Sequence, residues 1–109
     1  IWGTGKPRRG FLYVDDLVDA CLFLMENYNS SEIINIGSGV DVSIRKLAEL
    51  IREIVGFTGN IEFDTTKPDG APKKMLNDTR LKSLGWQPKV SLKQGLIETY
   101  IWYLETKGE

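Results

Sequence analysis

Two short stretches of the sequence concentrate groups able to hold an anion beside a hydroxyl-rich ligand. The first is Trp2-Gly3-Thr4-Gly5-Lys6-Pro7-Arg8-Arg9-Gly10-Phe11, which sets an indole and three cations on a segment broken by glycines and stiffened by proline. A guanidinium can grip a phosphate with two parallel hydrogen bonds, and an indole can pack on a base or a sugar. The second is Lys67-Pro68-Asp69-Gly70-Ala71-Pro72-Lys73-Lys74. There Asp69 can accept hydrogen bonds from hydroxyl or base amino groups, and Lys73 or Lys74 can pair with phosphate. Each stretch alone reads equally as a solvated surface loop, because isolated surface cations contribute little. Together they suit a ligand with an anionic middle and a polyhydroxylated end.

The residue types that are missing exclude much other chemistry. The sequence has no histidine, so there is no histidine general base, no His-rich zinc site and no Ser-His-Asp or Cys-His arrangement. A single cysteine, Cys21, permits neither an internal disulfide nor CxxC chemistry. Gly3-Thr4-Gly5 and Gly37-Ser38-Gly39 complete neither GxGxxG nor GxxxxGK[ST], and read more simply as turns. No histidine-based catalytic site, His-rich metal site or glycine-rich cofactor loop is therefore expected in this chain.

Those groups must be positioned by a small α/β unit. With 109 residues, 41% hydrophobic and 27% charged, the composition is that of one globular domain without a repeat or dividing linker. Fourteen basic residues against fifteen acidic ones give a net charge of -1, which provides no global field for nucleic acid or an anionic membrane. No apolar stretch approaches the roughly 20 residues of a bilayer span, and no secretory signal is visible. Cytoplasmic residence is the expectation, and Cys21, inside Ala20-Cys21-Leu22-Phe23-Leu24-Met25, is expected to be a buried reduced thiol. The chain starts at Ile1 and not methionine, as though met partway through a longer segment.

Apolar spacing predicts a first helix from Asp15 through Met25, capped by Asp15 or Asp16. Strands are expected near Phe11–Val14, at Ile33–Ile36 and at Ile61–Phe63. Ser43 should cap a second helix bearing Leu47, Leu50, Ile51 and Ile54 on one face, closed by Gly56. The irregular span from Asp64 to Met75, rich in proline and glycine, is long enough to suggest a binding loop. A short helix capped by Asp78 and closed by Gly85 follows. Ser91 and Gln94 match a capping box for a last helix from about Leu92 to Glu105. Its stripe of Leu92, Leu96, Thr99, Tyr100, Tyr103 and Leu104 is expected to be core.

In order and over nearly the whole chain, WGTGKPRRGFLYVDDLVDA, EIINIGSGVDVSIRKLAELI, FDTTKPDGAPKKMLNDTRLKSLGW and SLKQGLIETYIWYLE resemble the carboxyl-terminal part of the GDP-L-fucose synthases. The F-x-x-V-D-D-L element is shared with the wider extended short-chain dehydrogenase/reductase group of nucleotide-sugar epimerases and dehydratases. The KPDG-x-P-x-K segment joined to LGW is far more specific. The chain differs from the family's usual pattern at Gly10, where an acidic residue is common, and at Leu76-Asn77-Asp78-Thr79, where L-D-V-[ST] is common. Loss of the acidic neighbour at Gly10 would be expected to loosen Arg9.

The resemblance implies an α/β fold: the carboxyl-terminal, substrate-binding lobe of an extended reductase, with short strands and about four helices. It implies substrate-side roles for Trp2, Arg9, Asp69 and Lys74 in holding GDP-4-keto-6-deoxy-D-mannose or GDP-L-fucose. It further implies NADP(H) as cofactor of the whole enzyme, bound mainly by an amino-terminal Rossmann domain outside this sequence, and a homodimer. The family's Ser-Tyr-Lys set and its epimerising cysteine and histidine have no match here, and this chain alone is expected to be inactive and to bind no cofactor. Two other readings stay open at this stage: the tail of a different nucleotide-sugar epimerase or dehydratase, and a non-catalytic interaction module.

Overall fold

The computed structural model describes residues 1–72 and 78–107. Among them the architecture is mixed helix and strand, in the order β1 (Arg8–Gly10), α1 (Val14–Asn27), β2 (Asp41–Ser43), α2 (Ile44–Val55), α3 (Thr79–Ser83) and α4 (Leu92–Lys107). β1 and β2 form a two-stranded antiparallel sheet in which Arg8 faces Ser43, Arg9 faces Val42 and Gly10 faces Asp41. The strands are only three residues long, and side-chain bonds reinforce them. Arg8 Nε donates to Asp41 Oδ1 at 2.9 Å and Arg8 Nη2 to Asp41 O at 3.1 Å.

α2 follows β2 directly because Ser43 ends the strand and caps the helix, its Oγ accepting from Lys46 N at 3.1 Å. At the far end Gly56 takes the left-handed conformation, φ 72°, and returns its amide to the last turn. Both termini match the expectation from sequence, and the Leu47, Leu50 and Ile54 face is half-buried. This face packs toward α4. Gly95 of α4 is buried where the ring of Tyr13 crosses it, and a Cβ there would lie 3.2 Å from Tyr13 Cδ1. α4 begins as expected, with Gln94 N on Ser91 Oγ at 3.2 Å, but the Gln94 amide turns to Glu98 and not back to the cap. The apolar stripe is core only at its start: Leu92, Leu96 and Tyr100 are half-buried, whereas Thr99, Tyr103 and Leu104 are exposed.

The buried core is small. Among the described residues it consists of Ala20, Leu81 and Trp86, with Leu12, Phe23, Leu24, Ile34 and Ile36 packed around it. Ile34 and Ile36 thus reach the core without forming the strand expected at Ile33–Ile36. No strand is assigned at Phe11–Val14 or Ile61–Phe63 either; Val14 opens α1, and the latter region contributes one parallel bridge, Trp2 to Asp64. Beyond that bridge these segments enter no assigned ladder.

Two further expectations are corrected on α1. Neither Asp15 nor Asp16 caps it: Tyr13 is the N-cap and makes no side-chain cap bond. Asp16, only 3% exposed, instead accepts from Lys89 N at 3.1 Å and Val90 N at 2.9 Å. Asp19 accepts from Trp86 Nε1 at 3.0 Å. The acidic residues of α1 therefore tie it to the connection between α3 and α4. Cys21 is exposed, not buried. Ala20 points into the core, and one helical step of about 100° turns Cys21 to the outer side, alongside exposed Val14, Leu17, Val18, Leu22 and Met25.

Asp78 stands at the N-cap of α3 but forms no side-chain cap bond. Gly85 follows that helix at φ 96°, as its type suggested.

Candidate functional site

The two candidate loops meet. Gly3 N donates to Asp64 O at 2.8 Å, Arg8 N donates to Pro72 O at 2.9 Å, and between these Asp69 closes on the first loop. Its Oδ1 accepts from Thr4 N and its Oδ2 from Thr4 Oγ1, both at 2.8 Å. Thr4 Oγ1 in turn accepts from Lys6 N at 3.2 Å. These bonds hold the Asp69 carboxyl below its ordinary range, the Thr4 amide first, then the Thr4 hydroxyl, with nearby Lys6 adding to them against a partial desolvation.

Glycine is required at two points of this loop. Gly3 has φ 83°, and a Cβ on it would fall 2.1 Å from Asp69 Oδ1. Gly5 has φ 76°, and its Cβ would fall 2.6 Å from the Phe63 ring. The Phe63 ring also has the Arg45 guanidinium 5.3 Å from its centroid, which ties the loop to the first turn of α2.

α2 grips the same loop with its opening amides. Ile44 N donates to Pro7 O and Arg45 N to Gly5 O, each at 2.9 Å, and Lys46 N to Ser43 Oγ. A helix start offers four unpaired N–H groups, so three are consumed by the protein itself. This terminus fixes the loop and is not an open phosphate cradle.

Arg9 lies across the second loop. Its Nη1 donates to Arg8 O at 2.6 Å and to Ala71 O at 2.8 Å, and a Cβ on Gly70 would stand 3.1 Å from its Nη2. Two carbonyls therefore orient the guanidinium despite Gly10 beside it. Its Nε and Nη2 make no hydrogen bond among the described residues.

Trp2 is 73% exposed, with Lys67 Nζ 5.4 Å from its ring centroid. An exposed contact of this kind contributes about 0.5–1 kcal/mol, weak enough for a ligand to displace.

The loop carrying Trp2 and Arg9 is thus bonded to the loop carrying Asp69 across 62 and 65 residues of sequence. Lys74, the fourth expected residue, lies outside the described residues, as does Lys73. Thr4 was missed by sequence reasoning. A hydroxyl residue between two glycines was its only signal, and nothing in the sequence pairs it with Asp69. Among the described residues no cluster of His, Cys, Asp or Glu suits a metal ion, and no helix is long and apolar enough to cross a membrane.

A family model described as the NAD dependent epimerase/dehydratase family matches residues 1–37. GDP-L-fucose synthase 1 of Arabidopsis thaliana is 58% identical over 105 residues, covering 96% of this chain and 32% of that protein, in its carboxyl-terminal part. The chain is homologous to the carboxyl-terminal third of the GDP-L-fucose synthases. It spans about a third of the length of the curated synthases it matches. The crystal structure of a GDP-L-fucose synthetase from Naegleria fowleri bound to NADP superposes with a TM-score of 0.91 at 36% identity, over 99% of this chain and 35% of that one. A UDP-glucose 4-epimerase with UDP-glucose from Thermotoga maritima gives a TM-score of 0.85 at 36% identity, over 97% of this chain and 34% of that one. The fold is therefore shared across nucleotide-sugar enzymes of different bases, while the Arabidopsis synthase, at 58%, lies well above the 36% of the epimerase.

Proposed function

We propose that this chain is the nucleotide-sugar-binding lobe of a GDP-L-fucose synthase, and that the whole enzyme converts GDP-4-keto-6-deoxy-D-mannose to GDP-L-fucose by epimerisation and NADPH-dependent reduction. The convergence of the Trp2-to-Arg9 loop and the Asp69 loop on one another carries this reading. In it, the open edge of Arg9 and the amine of Lys74 hold the diphosphate, Trp2 packs on the ligand, and Asp69 completes the set from the second loop.

The lobe contributes binding and not bond-making. Reduction of a ketone needs the sugar carbon held close to the nicotinamide, and interactions with the remote nucleotide end supply that positioning. When bound, NADPH supplies the hydride, and neither glycine run of this chain completes a dinucleotide-binding motif. Thr4 N is engaged by Asp69, and the opening amides of α2 are engaged by Gly5 O, Pro7 O and Ser43 Oγ, so these are not open to a pyrophosphate. We place the cofactor in a preceding Rossmann portion, with residues 1–109 as a single substrate lobe and the homodimer as the assembled form.

Truncation of Arg9 tests the reading. In the complete enzyme, Arg9→Ala is expected to lower kcat/KM for the GDP-sugar at least about 100-fold, as expected for a charged bidentate contact of roughly 3 kcal/mol. An unchanged value rejects the site.

A further inference from the structure

Deepening that reading, and resting on it, we propose that Arg8 and Asp41 form a register lock that commits Arg9, and not its neighbour Arg8, to the diphosphate. Arg8 and Asp41 are then positioning residues, and they act on the ligand only through Arg9.

Successive side chains of a strand point to opposite faces, so Arg8 and Arg9 cannot both face one ligand. β1 pairs with β2 so that Arg8 stands opposite Ser43, Arg9 opposite Val42 and Gly10 opposite Asp41. Arg8 and Asp41 are therefore diagonal neighbours on one face of the ribbon, and Arg9 belongs to the other. On its face Arg8 is already engaged: Nε donates to Asp41 Oδ1 at 2.9 Å and Nη2 to Asp41 O at 3.1 Å. The same two nitrogens of Arg9 make no hydrogen bond among the described residues, because Arg9 is held through Nη1.

The ribbon needs such a lock. Its strands are three residues each and carry no alternating apolar pattern, and pairing of that kind specifies its register weakly. A slip of one residue would bring Arg8 to the face now held by Arg9. The ion pair opposes that slip with charge, and Asp41, whose side chain is 20% exposed, is partly shielded from water.

The backbone of Arg8 passes the constraint on. Arg8 N donates to Pro72 O at 2.9 Å, and Arg8 O accepts from Arg9 Nη1 at 2.6 Å, while the same Nη1 donates to Ala71 O. The peptide groups of Arg8 thus join β1 to the second loop and seat the Arg9 guanidinium, and the Arg8 side chain anchors those peptide groups to β2. With the pair broken, binding would have to order Arg9 as well as engage it, and that entropy lowers affinity without loss of a direct contact.

The experiment is a cycle of Arg8→Gln and Asp41→Asn in the full-length polypeptide that carries this sequence. It is read by calorimetric titration with GDP-L-fucose and by the Arg9 Nε–H signal in heteronuclear NMR of the ligand-free protein. Each single variant is expected to weaken binding about fivefold and to move the Arg9 signal, and the double variant to be no weaker than the worse single one. The exchanged pair, Arg8→Glu with Asp41→Arg, is expected to return to within about twofold of the unsubstituted protein and to restore the signal, a rescue that a loss through misfolding would not show.

Loss of affinity in Arg8→Gln with full affinity in Asp41→Asn would overturn the lock, because Arg8 would then be meeting the anion itself. Losses that multiply to about 25-fold in the double variant would also overturn it, since the two residues would be acting separately. An Arg9 signal that stays in place in both single variants defeats the lock whether or not the GDP-sugar binds. Failure of the unsubstituted protein to bind GDP-L-fucose, with the Arg9 signal moved in the single variants and restored in the exchanged pair, would leave the lock standing and defeat the functional reading alone.

Discussion

Two carbonyls orient Arg9, which pairs with no carboxylate among the described residues; in the proposed site the other edge of its fork receives a phosphate. The sequence displayed the arginine and the indole. It could not display the two carbonyls, because Ala71 is 62 residues away and its alanine side chain has no part in the bond. Asp69 was legible as an acid in a binding loop, while its engagement with Thr4 required the fold.

Two outcomes follow at this scale. Because bonding to Thr4 lowers the folded-state pKa of Asp69, its contribution is complete above the ordinary carboxylate range and is lost as pH falls through the depressed value. An NMR titration should show the Asp69 carboxyl and the Thr4 amide moving together, below the midpoint of an unstructured aspartate. Gly3→Ala should weaken GDP-sugar binding at least about tenfold in a calorimetric titration, since a Cβ at φ 83° collides with Asp69.

The helices were more readable than the strands. Ser43 and Gly56 carry their roles in their own chemistry, a side-chain acceptor at one end of α2 and tolerance of positive φ at the other, so both ends could be placed from composition. β1 and β2 owe their existence to each other across 33 residues and have no alternating apolar pattern that would announce them. Ile33–Ile36 has the strand-forming residue types but no assigned strand, and Ile34 and Ile36 pack against Ala20, Leu81 and Trp86 from an irregular segment. The first-turn acids of α1 misled for a related reason: Asp16 has the position of a cap but a tertiary partner.

That partner makes Asp16 the most sensitive position outside the site. Asp16→Ala removes the acceptor of two backbone amides, Lys89 N and Val90 N, beside the core. Unmaking such bonds costs about 1–3 kcal/mol for each group left unsatisfied, so a loss of roughly 2–4 kcal/mol is expected in urea denaturation. GDP-sugar affinity of the protein that remains folded should change little, because Asp16 lies in the α1, α3 and α4 region and not in the two loops.

The molecule as a whole is more extended than its length suggests. Its radius of gyration is 16.6 Å and its extents are 49 × 37 × 20 Å, against about 13 Å for a compact domain of 100 residues. The outer side of α1 exposes Val14, Leu17, Val18, Leu22 and Met25, and the end of α4 exposes Ile101, Trp102, Tyr103 and Leu104. Exposed apolar helix faces of this kind suit an interface. The proposed lobe assignment gives α1 one occupant, the preceding cofactor-binding portion; the family match over residues 1–37 of this chain includes the helix. Cys21 reports on it: its thiol should react readily with a maleimide in the 109-residue chain and become protected when the preceding portion is joined. Equal reactivity in both would show that α1 stays uncovered.

The site and the lobe are tested together by heteronuclear NMR of the full-length protein during titration with GDP. The expected result is saturable movement of the Trp2 indole N–H and the Arg9 Nε–H signals at the same GDP concentration, with UDP producing weaker effects on both. GDP binding that leaves both signals in place would contradict the account, because the ligand would then occupy some part of the molecule other than the junction of these two loops.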